Sequence, residues 1–139
     1  MQIIEPNKEI GTQIITLPYC EVFMRLDKVL QLNLAANTDV YEKHVREMVD
    51  AGSSIANRVP HPVIMFLGEF STFNKDAREF AADPTKEIMS TAIAYVTTNL
   101  ANRLSVNFFL SINKPIKPSK MFANEDAALK WLQNYPPKF

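Results

Sequence analysis

The sequence predicts an α/β domain: one mixed sheet, element order β-β-β-α-β-α-β-α-β-α, with helices mainly on one face. Three observations carry this. The early runs alternate apolar and polar residues, as half-buried strands do. A later run, "VIMFLG", is apolar on both faces and reads as a central strand covered from both sides. Other segments repeat apolar residues at three- and four-residue steps, the period of a helix with one buried stripe. Strands that alternate with helices return parallel through right-handed crossovers, while the opening hairpin is antiparallel; the sheet is therefore mixed.

Each element has its own signal. Residues 1–11 read as a loose lead-in closed by Gly11, and residues 12–139 as a single domain, a size that suits one core. "TQIITL" is a short β-prone run that Pro18 stops. "YCEVFMRL" puts Cys20, Val22, Met24 and Leu26 on one face; "VLQLNLA" puts Leu30, Leu32 and Leu34 together. The Asp27-Lys28 pair between them reads as a hairpin turn. A helix follows, capped by Thr38 or Asp39 with Glu42 completing a capping box, and Tyr41, Val45, Met48, Gly52 and Ile55 form its buried stripe. Pro60 and Pro62 break the chain before the central strand, which Gly68 ends.

"EFSTF" is a loop, and Asn74 caps the short helix "KDAREFAA". Thr91, Ile93, Val96 and Thr97 are β-branched, so residues 91–97 form a strand. Thr98 or Asn99 caps the next helix, where Leu100, Leu104, Phe108 and Ile112 fall at four-residue steps with Ala101 and Phe109 beside them. Arg103 is its one charge, which denies it the basic polar face of a membrane-surface helix, so it is expected to be largely buried. Pro115 ends it, and "KMFA" is a last short strand. Asn124 caps a final helix that carries Glu125 and Asp126 in its first turn and Ala128, Leu129, Trp131, Leu132 and Tyr135 on its apolar side.

Several segments resemble a bacterial family of small proteins of unknown function, grouped as STAS/SEC14-like domains, with the fold of the sporulation anti-sigma-factor antagonists. The matching stretches are "PVIMFLGEFSTFNKDAREFAA", "STAIAYVTTNLANRLSVNFFLSINKPIKPSKMF" and "NEDAALKWL", the most specific being "NFFLSINKP", "PSKMF" and "EDAALKWL". The family often places a glycine in its first hairpin turn, where this chain has Asp27-Lys28. The resemblance implies the fold and a module that works through protein contacts; it carries no activity with it. Anti-sigma-factor antagonists hold a phosphorylatable serine at the start of the helix after the central strand. The matching place here, "FNKD", has no serine or threonine; Ser71 and Thr72 lie just upstream.

Composition narrows the function classes. Fifteen basic residues balance fifteen acidic ones, so no net field steers the chain to nucleic acid or anionic membrane, and little repulsion opposes self-association into a homodimer. Cys20 is the single cysteine, which excludes an internal disulfide and fits a reducing, cytoplasmic setting. The start, "MQIIEPNKEIG", lacks the basic flank and apolar stretch of a secretory signal, and no run approaches membrane-spanning length. His44 and His61 have no metal-ligand spacing around them, and no nucleophile motif or glycine-rich phosphate loop is present; no catalytic role, metal or cofactor is expected.

Two candidate sites remain. One is a partner-contact surface made of the first helix, residues 68–75 (with Ser71, Thr72, Asn74 and Lys75) and the short helix that follows. The other is a small-molecule or lipid carrier site: in an extended, polyproline-like chain over residues 113–120, Lys114, Lys117 and Lys120 share one side and face an anionic group. The simpler reading of those lysines is a solvated connection whose charges and prolines discourage edge pairing. The expected function is a non-catalytic protein-interaction or regulatory module, with the carrier as the alternative.

Overall fold

His61–Leu67 is buried at every position, which a strand achieves only at the centre of a sheet covered on both faces. The computed structural model describes Gly11 and residues 14–139. The predicted lead-in, apart from Gly11, and the first two residues of "TQIITL" lie outside the described residues. The elements are β1 (Ile15–Leu17), β2 (Cys20–Met24), β3 (Leu30–Leu34), β4 (Asp39–Val40), α1 (Glu42–Ile55), β5 (His61–Leu67), β6 (Thr72–Phe73), α2 (Lys75–Ala82), β7 (Ser90–Val96), α3 (Leu100–Ile112), β8 (Ser119–Phe122) and α4 (Glu125–Leu132). The predicted order holds, with β4 and β6 added as a separate two-stranded parallel pair.

The main sheet runs β1-β2-β3-β5-β7-β8, antiparallel at β1-β2-β3 and parallel thereafter. Each connection moves one position in the same direction, so α1, α2 and α3 all fall on one face. There Val45, Met48, Ala77, Phe80, Val106 and Phe109 pack with Val22, Leu32, Met65 and Tyr95. Among the described helices, α4, which follows the last strand, is the one on the other face. There α4 seats Ala128 and Leu132 on Ile64, Phe66, Ala94 and Val96. Helices mainly on one face is thus the observed arrangement.

Three local expectations change. The turn between β2 and β3 is longer than two residues. Arg25 N donates to Val29 O at 2.9 Å and Lys28 N to Arg25 O at 3.1 Å, leaving a three-residue loop with Lys28 at φ 68°. That is a β-turn followed by a left-handed residue, the position where glycine is favoured. Leu26 consequently belongs to the loop and is exposed, away from the Cys20, Val22 and Met24 face. The N-cap of α1 is Tyr41 and not Thr38 or Asp39, because Asp39–Val40 pairs as β4; Tyr41 is therefore exposed and outside the buried stripe, and the His44 ring Nδ1 accepts from Tyr41 N at 2.8 Å.

The third change concerns α3. Its cap is Asn99, whose side chain accepts from Asn102 N at 3.0 Å. The helix is where the sequence puts it, but rotated from the expected facing: Asn102, Val106 and Phe109 are buried, while Leu100, Leu104, Phe108 and Ile112 are 68%, 61%, 50% and 60% exposed.

Candidate functional site

A protein of this size rarely exposes large apolar side chains in a continuous row. On α3 the row is one ridge, because residues four apart are neighbours on a helix surface. What turns this ridge outward is the polar anchor beneath it. Asn102 is 2% exposed, and its Nδ2 donates to Gly68 O at 2.8 Å and to Thr97 Oγ1 at 3.4 Å. These bonds tie the first turn of α3 to the ends of β5 and β7, and Val106 and Phe109 follow Asn102 into the core. Arg78 of α2 holds the other end: its guanidinium lies 5.1 Å from the centre of the Phe108 ring, and its Nε donates to Asn113 Oδ1 at 3.3 Å.

Residues 68–75, expected to contact a partner, adjoin this helix through the Asn102–Gly68 bond. Ser71 is buried, and its hydroxyl donates to Gly68 O at 2.8 Å and Ala35 O at 3.1 Å, so it shapes the loop. Thr72 is exposed and donates to Asp39 Oδ1 at 2.7 Å. Asn74 caps α2, accepting from Ala77 N at 2.8 Å, and Lys75 Nζ lies 4.0 Å from Glu79 one turn on. Phe70, 57% exposed, takes a left-handed φ of 59°, an unusual state for a bulky residue.

The three lysines have different surroundings. Lys114 sits just past the C-cap of α3 at φ 45°, which interrupts the extended repeat expected over residues 113–120. Lys117 Nζ donates to the Glu87 carbonyl and lies 3.6 Å from the Glu87 carboxylate, itself 2% exposed. That carboxylate also accepts from Met89 N at 2.8 Å, Ser90 N at 3.2 Å and the Ser90 hydroxyl. Lys120 Nζ stands 5.5 Å from the centre of the Phe122 ring.

A crevice of about 350 Å³ opens where β3, β5 and β7 end, lined by Asn33, Phe66, Thr97, Asn99, Asn124 and Glu125 among others. Lys114, Lys117 and Lys120 do not line it. The strand order does not reverse there, so it lacks the topological switch at which open sheets of this kind bind ligands.

Beside the crevice a polar chain crosses β2 and β3: Arg25 donates to Gln31 at 3.0 Å, Gln31 to Asn33 at 3.0 Å, and Asn33 to Glu21 at 3.4 Å. Burial works against the charge of Arg25, yet Asp27 at 3.1 Å and Glu125 at 3.4 Å outweigh it and raise the guanidinium pKa. Its partners make the chain a buried structural network. Burial pushes the Cys20 thiol up to about 12, far from nucleophilic character near neutral pH. Among the described residues, no three His, Cys, Asp or Glu side chains gather as a metal site, and no helix is long and apolar enough to cross a membrane.

One of the comparisons speaks to this fold, a solved structure. A family model described as "Domain of unknown function (DUF7793)" matches residues 23–136. A crystal structure of an uncharacterized protein of the DUF3478 family with a SpoIIAA-like fold, from Shewanella loihica PV-4, aligns with TM-score 0.51 at 12% identity, covering 94% of this chain and 99% of that one. At that identity the likeness is one of fold, the architecture that the sequence motifs resemble. Comparison with curated proteins gives no match.

Proposed function

Because this chain belongs to the DUF7793 family, whose description assigns no chemistry, we propose its role from its surface: a non-catalytic module that works by protein contact through the outer ridge of α3. The observation that carries the reading is the exposure of Leu100, Leu104, Phe108 and Ile112 as one row. Folding leaves that apolar area in water, where it is unfavourable, so covering it supplies a driving force for association. Residues 68–75 and α2 border the ridge through the Asn102–Gly68 bond and the Arg78–Phe108 contact, so the proposed contact surface lies one helix away from the sequence-based expectation.

Native mass spectrometry of the protein taken directly from its host tests this. The expected result is a protein complex that disappears in a Leu104→Glu, Phe108→Glu double variant whose circular dichroism is unchanged. A folded double variant that keeps every complex, or a chain carrying only a small molecule, would sink the reading.

A further inference from the structure

We infer that the occupant of the α3 ridge is a second copy of this chain, docked about a two-fold axis that passes between Leu104 and Phe108. The inference rests on the interaction role proposed above and names its partner. Three observations support it.

The first is geometric. Residues 100, 104, 108 and 112 form a single four-residue row. Two such rows interdigitate when helices cross at about −50°, the commonest helix-packing class, and a copy of the same row is a matching surface. A two-fold axis requires self-complementarity, and a row of similar apolar side chains meets that requirement at its midpoint.

The second is charge. Arg103 is the one charged side chain within α3, and the whole chain is neutral. Such a helix offers no charge pattern to select an acidic or basic partner, and copies of a neutral chain do not repel one another.

The third is area. Leu100, Leu104, Phe108 and Ile112 leave on the order of 450 Å² per copy in water. Two copies together bring about 900 Å² to the contact, at the weak, transient end of specific interfaces, and the dimer is therefore reversible and concentration-dependent.

Single cysteines on the ridge provide the test. Helix axes pack about 8–10 Å apart and Cα atoms lie about 2.3 Å from each helix axis; Leu104 and Phe108, each about 3 Å along the helix from the two-fold, bring their Cα atoms to about 4–7 Å from those of their own copies, largely within disulfide reach. The native Cys20 is buried and stays silent. Under mild oxidation Leu104→Cys and Phe108→Cys should cross-link to their own copies, whereas Lys43→Cys on the exposed side of α1 should not. In sedimentation velocity the purified wild-type chain should move from monomer to a species of doubled mass between about 1 μM and about 1 mM. Leu104→Glu with Phe108→Glu should remain monomeric throughout.

A wild-type chain that stays monomeric at the top of that range, with ridge cysteines no more reactive than Lys43→Cys, overturns the inference. So does a dimer that survives the double substitution. If the chain is monomeric alone yet the same substitutions abolish a complex with a different protein, the second-copy partner fails while the interaction role stands.

Discussion

Gly68 and Gly52 show how differently two glycines in one fold tolerate a methyl group. A Cβ on Gly68 would lie 2.2 Å from Ala36 N and 2.4 Å from Ala35 C, both backbone atoms fixed where β3 leaves the sheet. On Gly52 it would lie 2.8 Å from Leu30 Cδ2 and Met89 Sδ, the movable ends of side chains. Gly68→Ala should therefore destabilise by about 3 kcal/mol or more, since the sheet itself must shift. Gly52→Ala gains about 1 kcal/mol of helix propensity against its crowding and should stay within about 1 kcal/mol of wild type, both read from urea midpoints. Equal losses at the two positions would contradict the close approach at Gly68.

The same scale separates the lysines: Lys117→Gln leaves the buried Glu87 carboxylate without its cation and should cost about 1–3 kcal/mol, while Lys114→Gln and Lys120→Gln stay within about 0.5 kcal/mol. Neutrality at all three would deny the Glu87 pair a structural role.

Cys20 gives the corresponding pH prediction. Its thiol, pushed up to about 12 from 9.0 mainly by desolvation, keeps its proton in the fold after the unfolded chain has lost its own. Its contribution to stability is complete below about pH 9 and declines as pH rises toward 12. Tyr19 and Tyr95, also raised first by burial, add to the decline in the same direction above their ordinary value of 10.0. Urea midpoints of wild type should fall more steeply than those of Cys20→Ala between about pH 9 and pH 10. Parallel slopes would mean that the thiol is not held neutral.

Among the elements, the β2–β3 hairpin stores a correctable strain. Lys28 occupies a left-handed position that costs a side-chain-bearing residue about 1 kcal/mol, so Lys28→Gly should raise stability by up to that amount in spite of the added freedom of the unfolded chain. A lower urea midpoint would argue against the observed turn. The sequence showed two alternating runs and thus the hairpin, but alternation does not say where pairing stops, and Leu26 continued the apolar period while belonging to the loop.

The facing of α3 departs from the sequence-based expectation for a sharper reason. Counting apolar residues favours Leu100, Leu104, Phe108 and Ile112, since that row has no polar member, whereas the row that meets the sheet begins with Asn102. A buried amide nitrogen is favourable only when its acceptors are in place, and for Asn102 Nδ2 these are Gly68 O and Thr97 Oγ1. Those partners come from distant strands, and nothing in the local pattern announces them. By contrast, Asn74, Asn99 and Asn124 act within three residues of themselves; Asn74 and Asn124 are legible as caps outright, and Asn99 as one of two candidates with Thr98. Contacts set by local geometry could be read; the orientation of the candidate surface, set by tertiary hydrogen bonds, could not.

At the scale of the molecule, two hydrophobic cores share one sheet, and this decides how it unfolds. β5 sends Val63, Met65 and Leu67 to the three-helix face and Ile64 and Phe66 to the α4 face. β7 divides in the same way, with Ile93 and Tyr95 on one side and Ala92, Ala94 and Val96 on the other. Neither core can lose its strands without exposing the other, so both should melt together although, among the described helices, α4 is the one that covers the second. Trp131, the only tryptophan, lies on α4 at 5.5 Å from the Phe122 ring and reports that second face. Most of the helical signal comes from α1, α2 and α3. Trp131 fluorescence and far-ultraviolet circular dichroism should therefore trace one coincident urea transition in the low-concentration monomer. Leu132→Ala, which empties a site 1% exposed, should move both curves together by about 2–5 kcal/mol. A fluorescence transition that precedes the loss of helix would show α4 detaching first and the two cores to be separable.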